Sequence, residues 1–265
     1  MSREGGWAGR EVRAEWTKLR TEPGAGRLLA ALVVLTAAAS AAVCVSVTCP
    51  AAGCGHDAVK LALGGVQVGQ AVAAVLAVLV AGGEYGTGMI RTTLTAMPRR
   101  GAVLAAKAAV LAGVTVPAAV LAVLGSLLAG RLVLPGRGFT AAHGHPPLSL
   151  ADGPTLRAAA GSVLYLALVA LLSLGIAFAV RDSAAAIGAV LGLLYVSAVL
   201  PLMVGDPDWQ LALWRLSPSN AGLSVQATVN LDGLPLSPWA GLGVLAAWAA
   251  VALAGGGLLL RVRDA

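Results

Sequence analysis

Few residues in this sequence are of types that bind metals, carry protons or pair charges, and they fall into three groups. His143-Gly144-His145 sets two imidazoles two residues apart, and His56 is the only other histidine. Such a pair can hold a metal weakly, but zinc sites add Cys or carboxylate ligands at defined intervals. The surrounding stretch is rich in Gly and Pro and offers no such set, so it reads as a solvated loop and no metal site is expected. Cys49 and Cys54 flank Pro50-Ala51-Ala52-Gly53, and whether they pair depends on the redox compartment that the loop faces. Cys44 lies in an apolar run and reads as a small buried hydrophobe. The third group is a polar stretch, Gly83 to Arg100, in which Glu84, Arg91, Arg99 and Arg100 place charge among Tyr85, Gly86, Gly88 and Thr92. Charges on a short helix of this kind suit the grip of a partner protein better than bond chemistry.

The motifs of catalysis are missing. The sequence holds no Gly-x-x-x-x-Gly-Lys-Ser/Thr phosphate loop. It has no Gly-x-Ser-x-Gly elbow and no His-Glu-x-x-His helix. The chain is therefore not expected to be an enzyme or to bind a cofactor of its own.

The framework that must position these residues is apolar. Of 265 residues, 58% are hydrophobic and 11% charged, with a mean hydropathy of +0.85, whereas soluble domains are charged at about a quarter of positions. An all-α integral membrane protein is expected. Six runs reach the ~20 apolar residues that cross a bilayer: Leu28–Thr48, Ala62–Gly82, Ala108–Gly130, Ala158–Val180, Ala184–Gly205 and Trp239–Leu260. The chain thus divides into a segment 1–26 and a six-helix transmembrane domain 27–265.

Basic residues set the orientation. Thirteen of the 18 Lys and Arg fall on the side that holds both termini and the polar stretch, and five, Lys60, Arg131, Arg137, Arg157 and Arg215, fall on the other. Both termini are accordingly expected in the cytoplasm. The net charge of +6 reads as this topological bias and not as a nucleic-acid footprint, which needs a basic patch on a soluble surface.

Segment 1–26 is patterned. Val12, Trp16 and Leu19 recur at i, i+4 and i+7 while Arg10, Arg13, Glu15, Lys18 and Arg20 take other faces, the pattern of an interfacial amphipathic helix with Trp16 at headgroup depth. It is not read as a secretory signal, because the polar lead is long and further spans follow. Thr21-Glu22-Pro23-Gly24 turns the chain into the bilayer. In the polar stretch, Tyr85, Met89 or Ile90, Leu94 and Met97 recur at helical intervals until Pro98, which disfavours helix at the residue before it. A short helix lying on the membrane surface is expected there. Lys107 is expected to snorkel to the headgroups, and Pro117 to kink its helix.

With this orientation three loops face outward. The first carries Cys49 and Cys54 into an oxidising compartment, where a disulfide is expected. The second, Arg131 to Leu156, carries His143 and His145. The third, Asp206 to Pro238, has helix-length stretches at Trp209–Leu216 and Ala221–Asn230 separated by Ser217-Pro218-Ser219-Asn220. It is too apolar for a solvated loop and either re-enters the membrane or lies on its outer surface. Gly65-x-x-x-Gly69 and Gly188-x-x-x-Gly192 permit close backbone approach, within the chain or to a second copy. Gln67 and Gln70, at i and i+3, share one face, for interhelical hydrogen bonds or for contact along a substrate pathway.

Glu15-Trp16-Thr17-Lys18-Leu19-Arg20, with Gly83-Glu84-Tyr85-Gly86-Thr87-Gly88-Met89-Ile90-Arg91-Thr92-Thr93-Leu94 and Pro98-Arg99-Arg100, resembles the ABC-2 type permeases of actinobacteria. The resemblance extends over nearly the whole chain in span number and loop order. It implies that the amphipathic lead is a connecting helix and that the loop between spans two and three is a coupling helix docking on a separate ATP-binding subunit. In that role Glu84, Tyr85, Gly86, Gly88, Arg91, Thr92, Arg99 and Arg100 would make the contact. It further implies an exporter in a bacterial cell membrane, two permease copies, identical or different, and ATP and Mg on the partner subunit. The turn Arg181-Asp182-Ser183 is too short for a second full coupling helix. The rival readings are a membrane-embedded enzyme using the His143/His145 loop, which lacks partners in named catalytic roles, and a stand-alone secondary carrier, which would want carboxylates at mid-depth and an inverted repeat.

Overall fold

A computed structural model describes residues 4–50, 54–86 and 100–262, without the side chains of 4–11, 23, 83–86 and 100. The expected coupling residues Glu84, Tyr85, Gly86, Gly88, Arg91, Thr92, Arg99 and Arg100 fall outside the described residues, apart from the backbone of 83–86 and of 100.

All regular structure among the described residues is helical. Helix α1 is Glu4–Thr21, α2 Pro23–Ser46, α3 Ala58–Ala62, α4 Val66–Gly86, α5 Arg100–Val133 and α6 Gly153–Val180. Helix α7 is Ser183–Met203, followed by α8 Pro207–Leu216, α9 Pro218–Leu223 and α10 Pro238–Val262. Five helices among the described residues, α2, α5, α6, α7 and α10, are long and apolar enough to cross a bilayer, and α4 is apolar from Val66 to Gly82. The chain is an all-helical membrane protein.

Helix α6 is the hub. It packs on α4, α5, α7 and α10, and 61% of its most apolar window is buried against 22% for α2, α7 and α10. The outer helices thus keep apolar faces for lipid while α6 spends its surface on protein.

Several boundaries differ from the sequence expectation for local reasons. The second span does not begin at Ala62: α3 ends there, and a turn at Leu63–Gly65 precedes α4. At this turn α2 crosses so closely that a Cβ on Gly65 would strike the Thr36 carbonyl, and the Ser40 hydroxyl takes the Gly65 amide at 3.0 Å. A Cβ on Gly69 would meet the Thr36 hydroxyl, so this glycine pair serves a contact inside the chain, whereas Gly188 and Gly192 have nothing within 4 Å. The third span is longer than expected, with Pro117 inside one 34-residue helix. In the third long loop the helix starts at Pro218 and not at Ala221, because Ser217 caps it by accepting from the Asn220 amide and Pro218 takes the first turn. This helical stretch ends by Gln226, and Asn230, at φ 53°, precedes a separate 3-10 turn at Leu231–Gly233.

Candidate functional site

Three polar clusters interrupt the apolar interior, one at each end of the bundle and one between them. At the end that holds α1, the α1 face turned into the protein carries Glu15 and Leu19, while Trp16 is exposed. Of the three residues expected to share an apolar face, Leu19 is thus buried against protein together with Glu15, and Val12 and Trp16 are exposed. Glu15 Oε2 lies 2.7 Å from Lys107 Nζ of α5, and Oε1 lies 2.9 Å from Lys18 Nζ. Lys107 is 2% exposed and also reaches the Val80 carbonyl of α4 at 3.5 Å. The expected snorkelling of Lys107 is therefore corrected. An ammonium in a low-dielectric interior needs a counter-charge, and α1 folds over to supply one. The same end gathers Arg181, whose guanidinium donates to the Leu259 carbonyl at 3.3 Å, and brings Gly101 beside Arg261.

The middle cluster joins α4, α6 and α9. Tyr165 of α6 donates its hydroxyl to Gln70 Oε1, and the Ser219 hydroxyl donates to the same oxygen at 3.2 Å. All three side chains are buried. Nearby, Gln226 donates to the Ser162 hydroxyl at 3.0 Å. Residues 217–227 are buried throughout except for Asn220, which is half-buried, so this stretch packs into the bundle instead of lying over it as a solvated loop. Within it the Ala221 and Ala227 amides donate to the Ser217 and Ser224 carbonyls at 3.0 and 3.1 Å. Gln67 is exposed and lines a cavity, whereas Gln70 is buried and hydrogen-bonded, so the two do not share one environment.

The far end holds the cysteines, the histidines and the start of α3. Cys49 and Cys54 form a disulfide with Cα atoms 5.6 Å apart. Asp57 caps α3 through the Lys60 amide at 3.0 Å and also accepts from the Thr228 hydroxyl at 2.8 Å and the Val229 amide at 3.2 Å. One carboxylate thereby ties the start of α3 to the segment that follows α9. Arg157 adds a second tie, donating to the Ala227 carbonyl at 2.6 Å. A cavity of about 620 Å³ opens here between Val43, Leu61, Leu223 and Leu234 on its apolar side and Lys60, Gln67, Gln226 and Asn230 on its polar side. A second, of about 550 Å³, shares His56, Val229 and Asn230 with it and extends to His145 and Asp152. Such a lining suits a molecule with an apolar body and a hydrogen-bonding group.

Of the histidines, His143 is held by the Gly138 carbonyl at 2.7 Å, while His145 Nε2 lies 3.3 Å from Cys54 Sγ. The pair is therefore divided, and the expectation of a plain solvated loop fails for His145. Sequence reasoning also missed Glu15, Asp57, Tyr165 and Gln226. Asp57 alone left a local trace, an Asp three residues before Lys60 at a helix start. The others are found only through contacts over long sequence separations.

No protein-family model and no curated protein matches the chain.

Proposed function

We propose that this chain is the membrane subunit of an ABC-2 type exporter in a bacterial cell membrane, with α4 as its sixth span and both termini cytoplasmic. In this reading the stretch Glu84 to Arg100 docks on a separate ATP-binding subunit that holds ATP and Mg, and two membrane subunits, identical or different, complete the transporter. The chain itself makes and breaks no bonds. The observation that best supports the reading is the buried Glu15–Lys107 pair. It joins the amphipathic helix to the base of α5, the helix that carries the docking stretch into the bundle, and Lys107 also reaches α4 on the other side of that stretch. A push on the stretch would then be shared by three elements. For the partner to drive transport it must bind two arrangements of the bundle with different affinity, since equal affinity shifts nothing. The amphiphilic cavities at the far end suit cargo with an apolar body and a polar group.

The test is co-purification of an ATP-binding subunit from the host membrane, and substrate-stimulated ATPase activity, for the wild type and for Glu84→Ala, Gly88→Leu and Arg91→Ala. Truncating a charge that pairs across the interface should weaken association by ~2–5 kcal/mol, whereas an ordinary surface loop changes stability by within about 0.5 kcal/mol. Wild-type coupling in all three correctly inserted variants would take the docking role from this stretch, and a wild-type chain that retains no ATP-binding subunit would remove the transporter reading.

A further inference from the structure

We propose that reduction of the Cys49–Cys54 disulfide converts this corner of the molecule into a zinc site made of two thiolates and the His145 imidazole. The inference does not depend on the transport reading. Cys49 Sγ, Cys54 Sγ and a ring nitrogen of His145 all lie within 4.8 Å of one another. A tetrahedral zinc with Zn–S near ~2.3 Å and Zn–N near ~2.0 Å spaces its ligand atoms roughly 3.5–3.8 Å apart. The 3.3 Å between Cys54 and His145 is already close to that value, and the sulfurs, once no longer bonded, need only move apart to reach it.

The ligands are held independently of the disulfide. The Cys49 amide donates to the Arg137 carbonyl at 2.8 Å. Gly138, at φ 92°, lets the second loop pass where a Cβ would strike the Cys49 carbonyl. On the other side of Cys54, Asp57 is tied to Thr228 and Val229. The His145 amide donates to the Thr140 carbonyl at 3.0 Å, and its ring packs on buried Phe139 with centroids 5.0 Å apart. Breaking one S–S bond therefore leaves three ligands carried by a packed scaffold, the condition for a preorganised site. Cys54 and His145 are half-buried, and His145 borders the cavity of about 550 Å³, which supplies an entry path and room for water at the fourth position.

Two thiolates and an imidazole select a soft or borderline cation over Mg²⁺ or Ca²⁺. The chemistry balances with an external dithiol as reductant: it delivers two electrons and two protons, closes to its own disulfide, and leaves two thiols on the chain. Zinc then displaces both thiol protons. With the disulfide intact this corner has no thiolate to offer, since the free Cys44 is buried in α2, so the site opens and closes with redox state.

The experiment uses the full chain in lipid nanodiscs, as purified and after reduction with tris(2-carboxyethyl)phosphine followed by anaerobic removal of the phosphine. Zinc is titrated in competition with a chromophoric chelator, and cobalt replaces zinc in a parallel sample. The reduced chain should bind one zinc and show thiolate-to-cobalt charge-transfer absorption, and the oxidised chain should do neither. His145→Ala should weaken zinc binding by at least ~10-fold. Equal zinc binding by the oxidised and reduced chains, or by His145→Ala and the wild type, would overturn the proposal. A readout without substitution guards against misfolded variants: zinc should slow maleimide labelling of Cys49 and Cys54 in the reduced wild type, scored peptide by peptide by mass spectrometry. Unchanged labelling rates would overturn it as well.

Discussion

Lys107 Nζ sits 2.7 Å from Glu15 Oε2 across 92 residues of chain, with both side chains almost wholly buried. Because Glu15 also holds Lys18 at 2.9 Å, the two partners are not equivalent. Lys107→Met leaves Glu15 a cation, whereas Glu15→Leu takes the carboxylate from both Lys18 and Lys107. Removing one partner of a buried pair costs up to about 3–5 kcal/mol, and replacing both by apolar groups costs far less. Thermal unfolding should therefore rank Glu15→Leu as the least stable, Lys107→Met next, and the double variant nearest the wild type. A double variant less stable than either single would show that the pair is not the source of the loss.

Asp57 should act as the clasp of the far end. Each hydrogen bond to its carboxylate is worth about 1.5–3 kcal/mol. Asp57→Ala should speed hydrogen exchange at the Thr228 and Val229 amides by tenfold or more, with Asp57→Asn in between. Exchange unchanged at both amides would mean that the third loop is held by other contacts.

The two glycine pairs should respond oppositely to alanine. Gly65→Ala drives a methyl into the Thr36 carbonyl and should cost about 1–3 kcal/mol as overpacking. Gly188→Ala meets open space and should be neutral or stabilising by up to ~1 kcal/mol through helix propensity. Unfolding in detergent measures both. A loss of self-association on Gly188→Leu in the bilayer would place that face against a second copy.

Tyr165→Phe removes the hydroxyl that Gln70 accepts while keeping the ring. Unfolding should be easier by about 1–3 kcal/mol, the cost of a buried polar group losing a partner. Gln70→Leu combined with Tyr165→Phe should recover part of it. Additive losses in the double-mutant cycle would argue against a direct bond.

The helical framework was legible because an apolar run of bilayer length carries its own signal, independent of what it packs against. The stop at Arg181-Asp182-Ser183 was equally local: Asp182 caps α7 through the Ala185 amide at 2.7 Å. Side-chain roles were less legible. Lys107 at a span mouth has the same local pattern whether it reaches water or a carboxylate, and only the fold of α1 decides between them. Gln67 and Gln70 are set apart by the course of α9, more than a hundred residues later. His145 and Cys54 belong to different loops, so no spacing rule could pair them. Ser217-Pro218 reads equally as a break or as a helix start, and burial of the following residues selects the second.

Helix α5, 34 residues long, measures ~51 Å at 1.5 Å per residue, against a hydrocarbon thickness of ~30 Å. Its lower end is bolted to Glu15, and just past its upper end the Arg137 carbonyl holds Cys49. Pro117 lies at its midpoint and has no amide for the Gly113 carbonyl, where a Cβ would meet nothing within 4 Å. The missing hydrogen bond thus divides the rod into two arms of ~25 Å. A displacement at one anchor is most cheaply absorbed by bending there, so it reaches the other anchor as a change of angle and not as a shift along the axis.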